Sequence, residues 1–250
     1  SRVPAMSRFR PGLLPTLLVL ALLPLLVWLG FWQLERSEQK RELLERQQAR
    51  QEAAPLTPEQ LDGSAEQAYA RVYLQGRFDA AHSFLLDSRT RDGQVGVELL
   101  QPFYDEPSGR WLLINRGWLP WPDRRIAPQF DTPQQPLKLA AWLYVPPGKP
   151  FVFSERMAEG WPRLISHVDV PELWALLGRD GVAHELRLEP GPSAYRADWP
   201  VTSMSPQQHV GYAVQWFALA AALLALFIYF GVHQARGARH EPDESDHERH

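Results

Sequence analysis

The side chains best suited to chemistry stand together in the stretch "QQHVGYAVQWFALA", residues 207–220. His209, Tyr212 and Trp216 recur at i, i+3 and i+7, which places them in one stripe of an α-helix, with Gln215 on a neighbouring face. The stretch opens a long apolar run. Polar groups at membrane depth are costly and by default functional, so this cluster is the first candidate site.

A second aromatic and polar cluster ends another apolar run. Trp28, Trp32 and Arg36 follow one another at i, i+4 and i+8, with Gln33 alongside. If both runs span a membrane they are antiparallel, so the two clusters lie at the same leaflet and can face each other. A neutral imidazole at the edge of such a cleft could ligate a haem iron or hydrogen-bond a partner subunit. Interfacial aromatic belts and helix–helix glutamine bonds are the purely structural alternative.

Two uncharged runs are long enough to cross a bilayer. About 20 helical residues span roughly 30 Å of hydrocarbon, and the runs cover residues 11–34 and 210–232. The first run is too long for the apolar part of a signal peptide, and no A-x-A-like cleavage site follows it. We therefore predict two uncleaved transmembrane helices in this membrane protein.

Charge around the two spans predicts their orientation. Basic residues without acidic neighbours flank the outer ends of both spans, at Arg2, Arg8, Arg10, Arg236 and Arg239. The positive-inside rule then places residues 1–10 and 233–250 in the cytoplasm. Residues just after the first span are also basic, but they alternate with acids, and long domains translocate largely regardless of charge. The acidic tail is too polar to bury a core, so we expect it to be disordered.

The stretch between the spans, residues 35–206, is the part able to form a water-soluble core. Short strand-like segments such as "RVYLQGRFD", "SFLLDSRT", "VGVELLQPFY" and "WLLINRGWLP" are separated by turn-forming residues. One helix is expected in "DVPELWALLG", with Asp169 as N-cap and Gly178 as its stop. The fold class is therefore α+β: a mainly antiparallel sheet or small barrel with one or two helices, flanked by two transmembrane helices.

Several chemistries are excluded or weakly supported. The chain has no cysteine, so disulfides and thiolate sites are absent, and its net charge of −3 gives no nucleic-acid surface. Hydrolase and nucleotide-binding motifs are missing. His167 and Asp169 could form a metal or acid–base pair on a strand, but a helix cap is the simpler interpretation. The acidic tail also contains His240, His247 and His250, which could bind metals loosely, but a solvated tail explains them equally well. We expect no enzyme.

The motif "NRGW", residues 115–118, follows the apolar segment "WLLI". We expect Asn115 and Arg116 to begin a turn, Gly117 to take a positive φ, and Trp118 to fold back onto the sheet. Arg116 is then either an internally paired arginine or a cation that meets a haem propionate or an acidic patch on a partner.

Three motifs in order resemble one family. "GFWQLERSEQK" (residues 30–40), "NRGW" and "HVGYAVQWFALA" (residues 209–220) are similar to motifs of the Surfeit locus protein 1 family, membrane proteins that assist cytochrome c oxidase assembly. The spacing and the two-span topology also match, so the resemblance covers nearly the whole chain. Gln207 and Gln208 stand where many relatives have asparagines, and the acidic tail lies outside the family pattern.

The resemblance implies a role in delivering haem A to the catalytic subunit of the oxidase. It implies a bacterial inner-membrane protein with its domain in the periplasm, in contact with lipid and the catalytic subunit of the oxidase, with other assembly factors as further candidate partners. His209 matches a candidate haem ligand of bacterial relatives. The hypothesis is a transient haem A site between the spans, formed by His209, Tyr212, Trp216 and Trp32, with Arg36 or Arg116 attracting a propionate. The rivals are a haem-independent scaffold that docks through its spans and, more weakly, an enzyme that uses His167 and Asp169.

Overall fold

The structure, a computed structural model, describes residues 11–146, 158–199 and 204–237. The chain divides into two compact units, one made of residues 1–43 and 201–250 and the other of residues 44–200. Its helices are α1 (Leu13–Glu52), α2 (Val170–Leu177) and α3 (Pro206–Gly237). The boundary between the units falls inside α1.

The first unit consists of two long helices, α3 and the greater part of α1. Both are long and apolar enough to cross a membrane, and only 11% of the most apolar 18-residue window of each is buried. The core helix of a soluble protein would be mostly buried instead. This unit therefore supports a membrane protein and agrees with the two predicted spans.

These two helices pack along a seam of small and polar residues. On α1 the least exposed positions recur every three or four residues and include Val19, Gly30 and Ser37. On α3 the buried positions are mostly alanine or glycine: Ala213, Ala220, Gly231 and Ala235. Small side chains let the backbones come close, which is how membrane helices gain packing contacts. The Phe217 ring lies over Gly30 and meets Phe31 edge-on, with ring centroids 5.2 Å apart.

The second unit is built around a seven-stranded sheet in the order β1-β5-β7-β4-β3-β2-β6. The strands are β1 (Arg71–Phe78), β2 (Phe84–Arg91), β3 (Gln94–Asp105), β4 (Arg110–Pro120), β5 (Leu137–Leu143), β6 (Arg163–Ile165) and β7 (Gly181–Leu188). Because β1 also pairs with the end of β3, five strands close into a ring, and β2 and β6 extend it. All pairings are antiparallel except β2–β6 and β4–β7. The expectation of a mainly antiparallel sheet or small barrel is confirmed.

The core lies on both faces of the sheet. Leu112 and Ile114 of β4 belong to the apolar cluster inside the ring, whereas Leu113 between them packs with Leu173 and Trp174 of α2. Asp169 caps α2 by accepting a hydrogen bond from the Glu172 backbone N–H at 3.2 Å. The helix ends at Gly178 in the left-handed region, as predicted.

The prediction of a turn at "NRGW" is wrong. Strand β4 continues through Asn115 and Arg116 to Pro120, and both polar side chains are buried. Gly117 does take a positive φ, 115°, but it does so opposite a register shift in β3, as a bulge within the strand. Beyond the bulge, the Trp118 backbone N–H donates to the Arg196 carbonyl. Asn115 and Arg116 can stay in the strand because residues elsewhere in the domain form hydrogen bonds with their side chains.

Candidate functional site

The candidate site is centred on His209 in the first turn of α3. Its ring Nδ1 lies 2.7 Å from the side-chain carbonyl Oε1 of Gln33 on α1. With that oxygen as acceptor, Nδ1–H donates and a neutral ring keeps its lone pair on Nε2. Histidines that ligate metals are commonly oriented in this way, by a hydrogen bond from the other ring nitrogen.

The start of α3 is held in place by a reciprocal cap. The Gln208 backbone N–H donates to Ser205 Oγ at 3.2 Å, and the Ser205 N–H donates to the Gln208 side-chain oxygen at 2.9 Å. From α1, the buried Ser37 hydroxyl donates to the Pro206 carbonyl at 3.1 Å. Both helices therefore fix the turn that carries His209.

The aromatic side chains lie beside the helix seam rather than within it. Tyr212 is 47% exposed and Trp32 is 38% exposed, while Trp216 is half-buried. With a turn of about 100° per residue, Arg36, Tyr212 and Trp216 lie on the same side of the helix pair, beside the position where Gln33 meets His209. Trp32 lies farther round α1, away from the seam, and the Arg36 guanidinium lies 5.3 Å from the centre of its ring. The aromatic rings and the cation therefore border one flank of the helix pair.

Trp28, the first residue of the α1 tryptophan stripe, does not face α3. It is 58% exposed and lies on the opposite face of α1 from the buried seam residue Ser37, nine positions farther along. Gln33 faces His209 instead, although its type alone gave no reason to prefer it over its aromatic neighbours.

Arg116 lies in the other unit and is used within it. It is 3% exposed, and its guanidinium donates to the carbonyls of Ser193 (3.0 Å) and Asp131 (2.9 Å) and to Gln101 Oε1 (3.1 Å). The rings of Phe78 and Tyr195 stack on it at 5.1 Å each. Burial lowers the pKa of this guanidinium from its ordinary value. A contact with a propionate stays a prediction, and the burial of Arg116 disfavours it.

A buried charge network was missed from the sequence. Asn115 Nδ2 donates to Glu98 Oε1 at 2.7 Å, and Arg91 contacts the other oxygen of Glu98 at 3.0 Å. Nearby, Glu185 on β7 is 5% exposed, and its Oε2 has no hydrogen-bond partner among the described residues. Burial raises the pKa of Glu185, and Arg187 opposes that shift. The alternation of apolar and polar residues along a strand cannot reveal such residues. It shows which face of the sheet a side chain lies on, but not which other side chain it contacts.

The Arg187 guanidinium is in turn enclosed by aromatic rings. It lies 3.6 Å from the centre of Tyr144, 4.6 Å from Trp199 and 5.5 Å from Trp142. Tyr69 stacks on Trp142 at 5.4 Å. Several of the chain's many tryptophans therefore pack against internal cations of the domain, a use that the residue count alone did not distinguish from membrane anchoring.

The alternative pair, His167 and Asp169, shares no hydrogen bond in the described part of the chain, and an enzymatic role for it stays an untested alternative. Asp169 caps α2, and His167 Nε2 lies 4.0 Å from the Glu172 carboxylate, beside a cavity of about 450 Å³. In residues 11–146, 158–199 and 204–237 no group of three or more His, Cys, Asp or Glu could hold a metal ion. The tail histidines His240, His247 and His250 lie outside the described residues.

Comparison with known proteins identifies the family. The model of the SURF1 family matches residues 20–221. A SURF1-like protein of Dictyostelium discoideum is 25% identical over 245 aligned residues, which cover 81% of this chain and 90% of that protein. The cytochrome oxidase assembly protein SHY1 of Saccharomyces cerevisiae is 27% identical over 132 residues, 49% of this chain and 33% of its own length. With the family match covering most of the domain and both long helices in part, the chain belongs to the SURF1 family.

Proposed function

We propose that this protein is a membrane-bound assembly factor for cytochrome c oxidase that holds haem A at His209 and hands it to the catalytic subunit. Family membership and the name of the SHY1 relative support a role in oxidase assembly. The binding and transfer of haem A go beyond what family membership supports, and this part of the proposal rests on the His209 site. The role is that of a carrier and not of an enzyme.

The hydrogen bond between Gln33 and His209 is the observation that carries the proposal. It leaves Nε2 of a neutral imidazole free to ligate an iron, and it sets the plane of the ring. Trp32, Tyr212 and Trp216 present flat apolar surface of the kind that a porphyrin packs against, and Arg36 beside Trp32 supplies a cation for a propionate. Haem, if bound, would supply an iron that His209 could ligate through Nε2.

The exposed flank of the helix pair suits a carrier better than a storage protein. If His209 alone ligates the iron, the cargo would be held less firmly than between two histidines. The exposed flank offers a route along which a flat ligand can leave toward a partner. We propose that this partner is the catalytic subunit, met in the membrane at the leaflet where His209 lies.

The proposed topology places both termini in the cytoplasm and the domain in the bacterial periplasm. Arginines beyond the outer ends of the two spans, Arg10 and Arg236 among them, support this orientation through the positive-inside rule. His209 would then lie near the periplasmic leaflet. Modification of single introduced cysteines by a membrane-impermeant reagent would test it in intact cells.

An absorption spectrum tests the haem proposal. The detergent-purified full chain from cells that make haem A should show a Soret band that is lost or shifted in His209→Ala. His233→Ala is the matched control, since His233 is an exposed histidine near the other end of α3. Gln33→Leu should shift or weaken the band, because the ring loses the acceptor that orients it. An unchanged Soret band in folded His209→Ala protein would refute His209 as the ligand.

A haem-independent scaffold is the second candidate. Most of the surface of α1 and α3 is exposed, including the Trp28 ring, and could dock against helices of the oxidase. Folded wild-type protein with no Soret band despite haem A supply, together with crosslinks from both helices to the catalytic subunit, would favour this function over the carrier.

A further inference from the structure

The group that accepts the hydrogen bond from His209 is uncharged. Histidines that ligate metals commonly donate their other ring N–H to a carboxylate, a backbone carbonyl or water. Here the acceptor is the side-chain carboxamide of Gln33, whose Oε1 lies 2.7 Å from His209 Nδ1. Residues 11–34 and the whole of α3 contain no Asp or Glu. The first acid of α1, Glu35, is exposed and lies about 200° round the helix from Gln33.

The charge of this acceptor determines how strong a ligand the imidazole can be. A hydrogen bond to an ionised acceptor is roughly twice as strong as one to a neutral acceptor. A carboxylate therefore draws the Nδ1 proton toward itself and raises the basicity of Nε2, the nitrogen that faces the metal. A carboxamide fixes the plane and the tautomer of the ring but raises that basicity much less. Gln33 thus holds His209 as an oriented and otherwise ordinary imidazole.

We infer that Gln33 is a positioning residue that keeps His209 a ligand weak enough to give up its cargo. The inference rests on the proposed function, because it concerns how the same site releases haem A. A carrier has to orient its cargo and then lose it to a partner, and a neutral acceptor meets both needs. Glutamate has nearly the same shape as glutamine, so Gln33→Glu changes the charge of the acceptor and little else.

The tautomer of His209 can be measured without haem. Nuclear magnetic resonance of the full chain in detergent, with nitrogen-15 in the histidine rings, shows which ring nitrogen carries the proton. The His209→Ala spectrum identifies the His209 signals among those of the eight histidines. We expect the proton on Nδ1 in wild type and a mixture of both tautomers in Gln33→Leu. A wild-type proton on Nε2 would overturn the inference, because Gln33 would then donate to the ring instead of accepting from it.

The rate of haem transfer tests the strength of the ligand. The full chain loaded with haem A in detergent is mixed with excess apomyoglobin, and the Soret band follows the transfer. Gln33→Glu should slow the transfer about tenfold or more, and Gln33→Leu should speed it about tenfold. Gln33→Glu should also lower the reduction potential of the bound iron, which a purely structural contact would not change. Gln39→Glu, the same change at an exposed position of α1, should transfer haem at the wild-type rate.

Failure of this inference and failure of the proposed function give different results. Wild-type protein with a Soret band and the same transfer rate as Gln33→Glu would overturn the inference and leave the carrier function standing. Wild-type protein that takes up no haem A would overturn the carrier function and the inference with it. If Gln33→Glu does not fold, Gln33→Leu decides the question, and transfer no faster than in wild type would overturn the inference.

Discussion

At the scale of single residues, Glu185 links the stability of the domain to pH. Its carboxyl is buried, one of its oxygens has no hydrogen-bond partner in the part of the chain that the structure describes, and desolvation raises its pKa despite the neighbouring Arg187. Glu98, paired with Arg91, adds a second buried negative charge that raises it further. The folded state therefore binds a proton more tightly than the unfolded state does, so stability should fall as pH rises from the ordinary glutamate pKa to the raised one.

Replacing this carboxyl should remove the dependence. We expect Glu185→Gln to be more stable than wild type above the raised pKa and to flatten the slope, which for one proton is at most about 1.4 kcal/mol per pH unit. Urea unfolding of the full chain in detergent, followed by near-UV circular dichroism across pH, measures it. Glu106→Gln, an exposed control, should leave the slope unchanged. Identical slopes in wild type and Glu185→Gln would contradict the linkage.

Arg116 organises the loops around the end of β4. Arg116→Met should lower the free energy of unfolding by about 3 kcal/mol, because the Gln101 carboxamide and two backbone carbonyls lose their buried donor. Chemical denaturation compared with Arg125→Met provides the measurement, since the Arg125 side chain is 90% exposed and its removal should change stability by less than about 0.5 kcal/mol. Similar losses in both variants would show that the burial of Arg116 carries little energy.

The candidate site could be predicted in part from residue types. His209 stood out because an imidazole at the edge of an apolar run is unusual, and its stripe with Tyr212 and Trp216 follows from helical periodicity. Gln33 as its partner could not be chosen from sequence, because that choice depends on the rotation of α1 about its own axis. Tertiary packing determines this rotation, and Gly30 is one of its contacts, since an added Cβ there would lie 2.5 Å from the Phe217 ring.

At the scale of elements, the bulge of β4 depends on one glycine. Gly117 has a φ of 115°, and an added Cβ would lie 2.7 Å from the Arg196 carbonyl oxygen. Gly117→Ala should therefore cost about 3 kcal/mol, from backbone strain and from a collision with neighbouring backbone. Gly93 at the β2–β3 turn has a φ of 76° and open space around it, so Gly93→Ala should cost about 1 kcal/mol. Comparable thermal melts for the two variants would contradict the close approach at Gly117.

Elements with a strong apolar period were predictable, and those without one were not. Both long helices, α2 with its cap at Asp169, and the longer strands followed from spacing alone. β6 has three residues, too few to show alternation. At "NRGW" two consecutive polar residues before a glycine are typical of a turn, yet here the partners of Asn115 and Arg116 come from β3 and from loops distant in sequence. Local pattern carries no information about such long-range pairing.

At the scale of the whole molecule, the surface of the domain is suited to water, whereas the surface of the two long helices is suited to lipid. The domain encloses its apolar side chains in a closed ring and under α2, whereas the helices leave theirs exposed. Residues 44–200 alone should therefore be soluble and fold into a β-rich domain that melts cooperatively. Circular dichroism and size-exclusion chromatography would measure this, and an aggregated or non-cooperative fragment would show that the domain requires the helices.

The same fragment also locates the proposed haem site. It lacks His209, Gln33 and the aromatic side chains Trp32, Tyr212 and Trp216 but retains Arg116, Arg187 and most of the tryptophans. If the spanning helices hold the haem, this fragment should give no Soret band when exposed to haem A, while the full chain in detergent does. The fragment that carries Gly117→Ala should melt at a lower temperature than the wild-type fragment and should also show no Soret band. The stability of the domain and the binding of haem are thereby measured separately. A Soret band on the folded wild-type fragment would move the binding site into the domain.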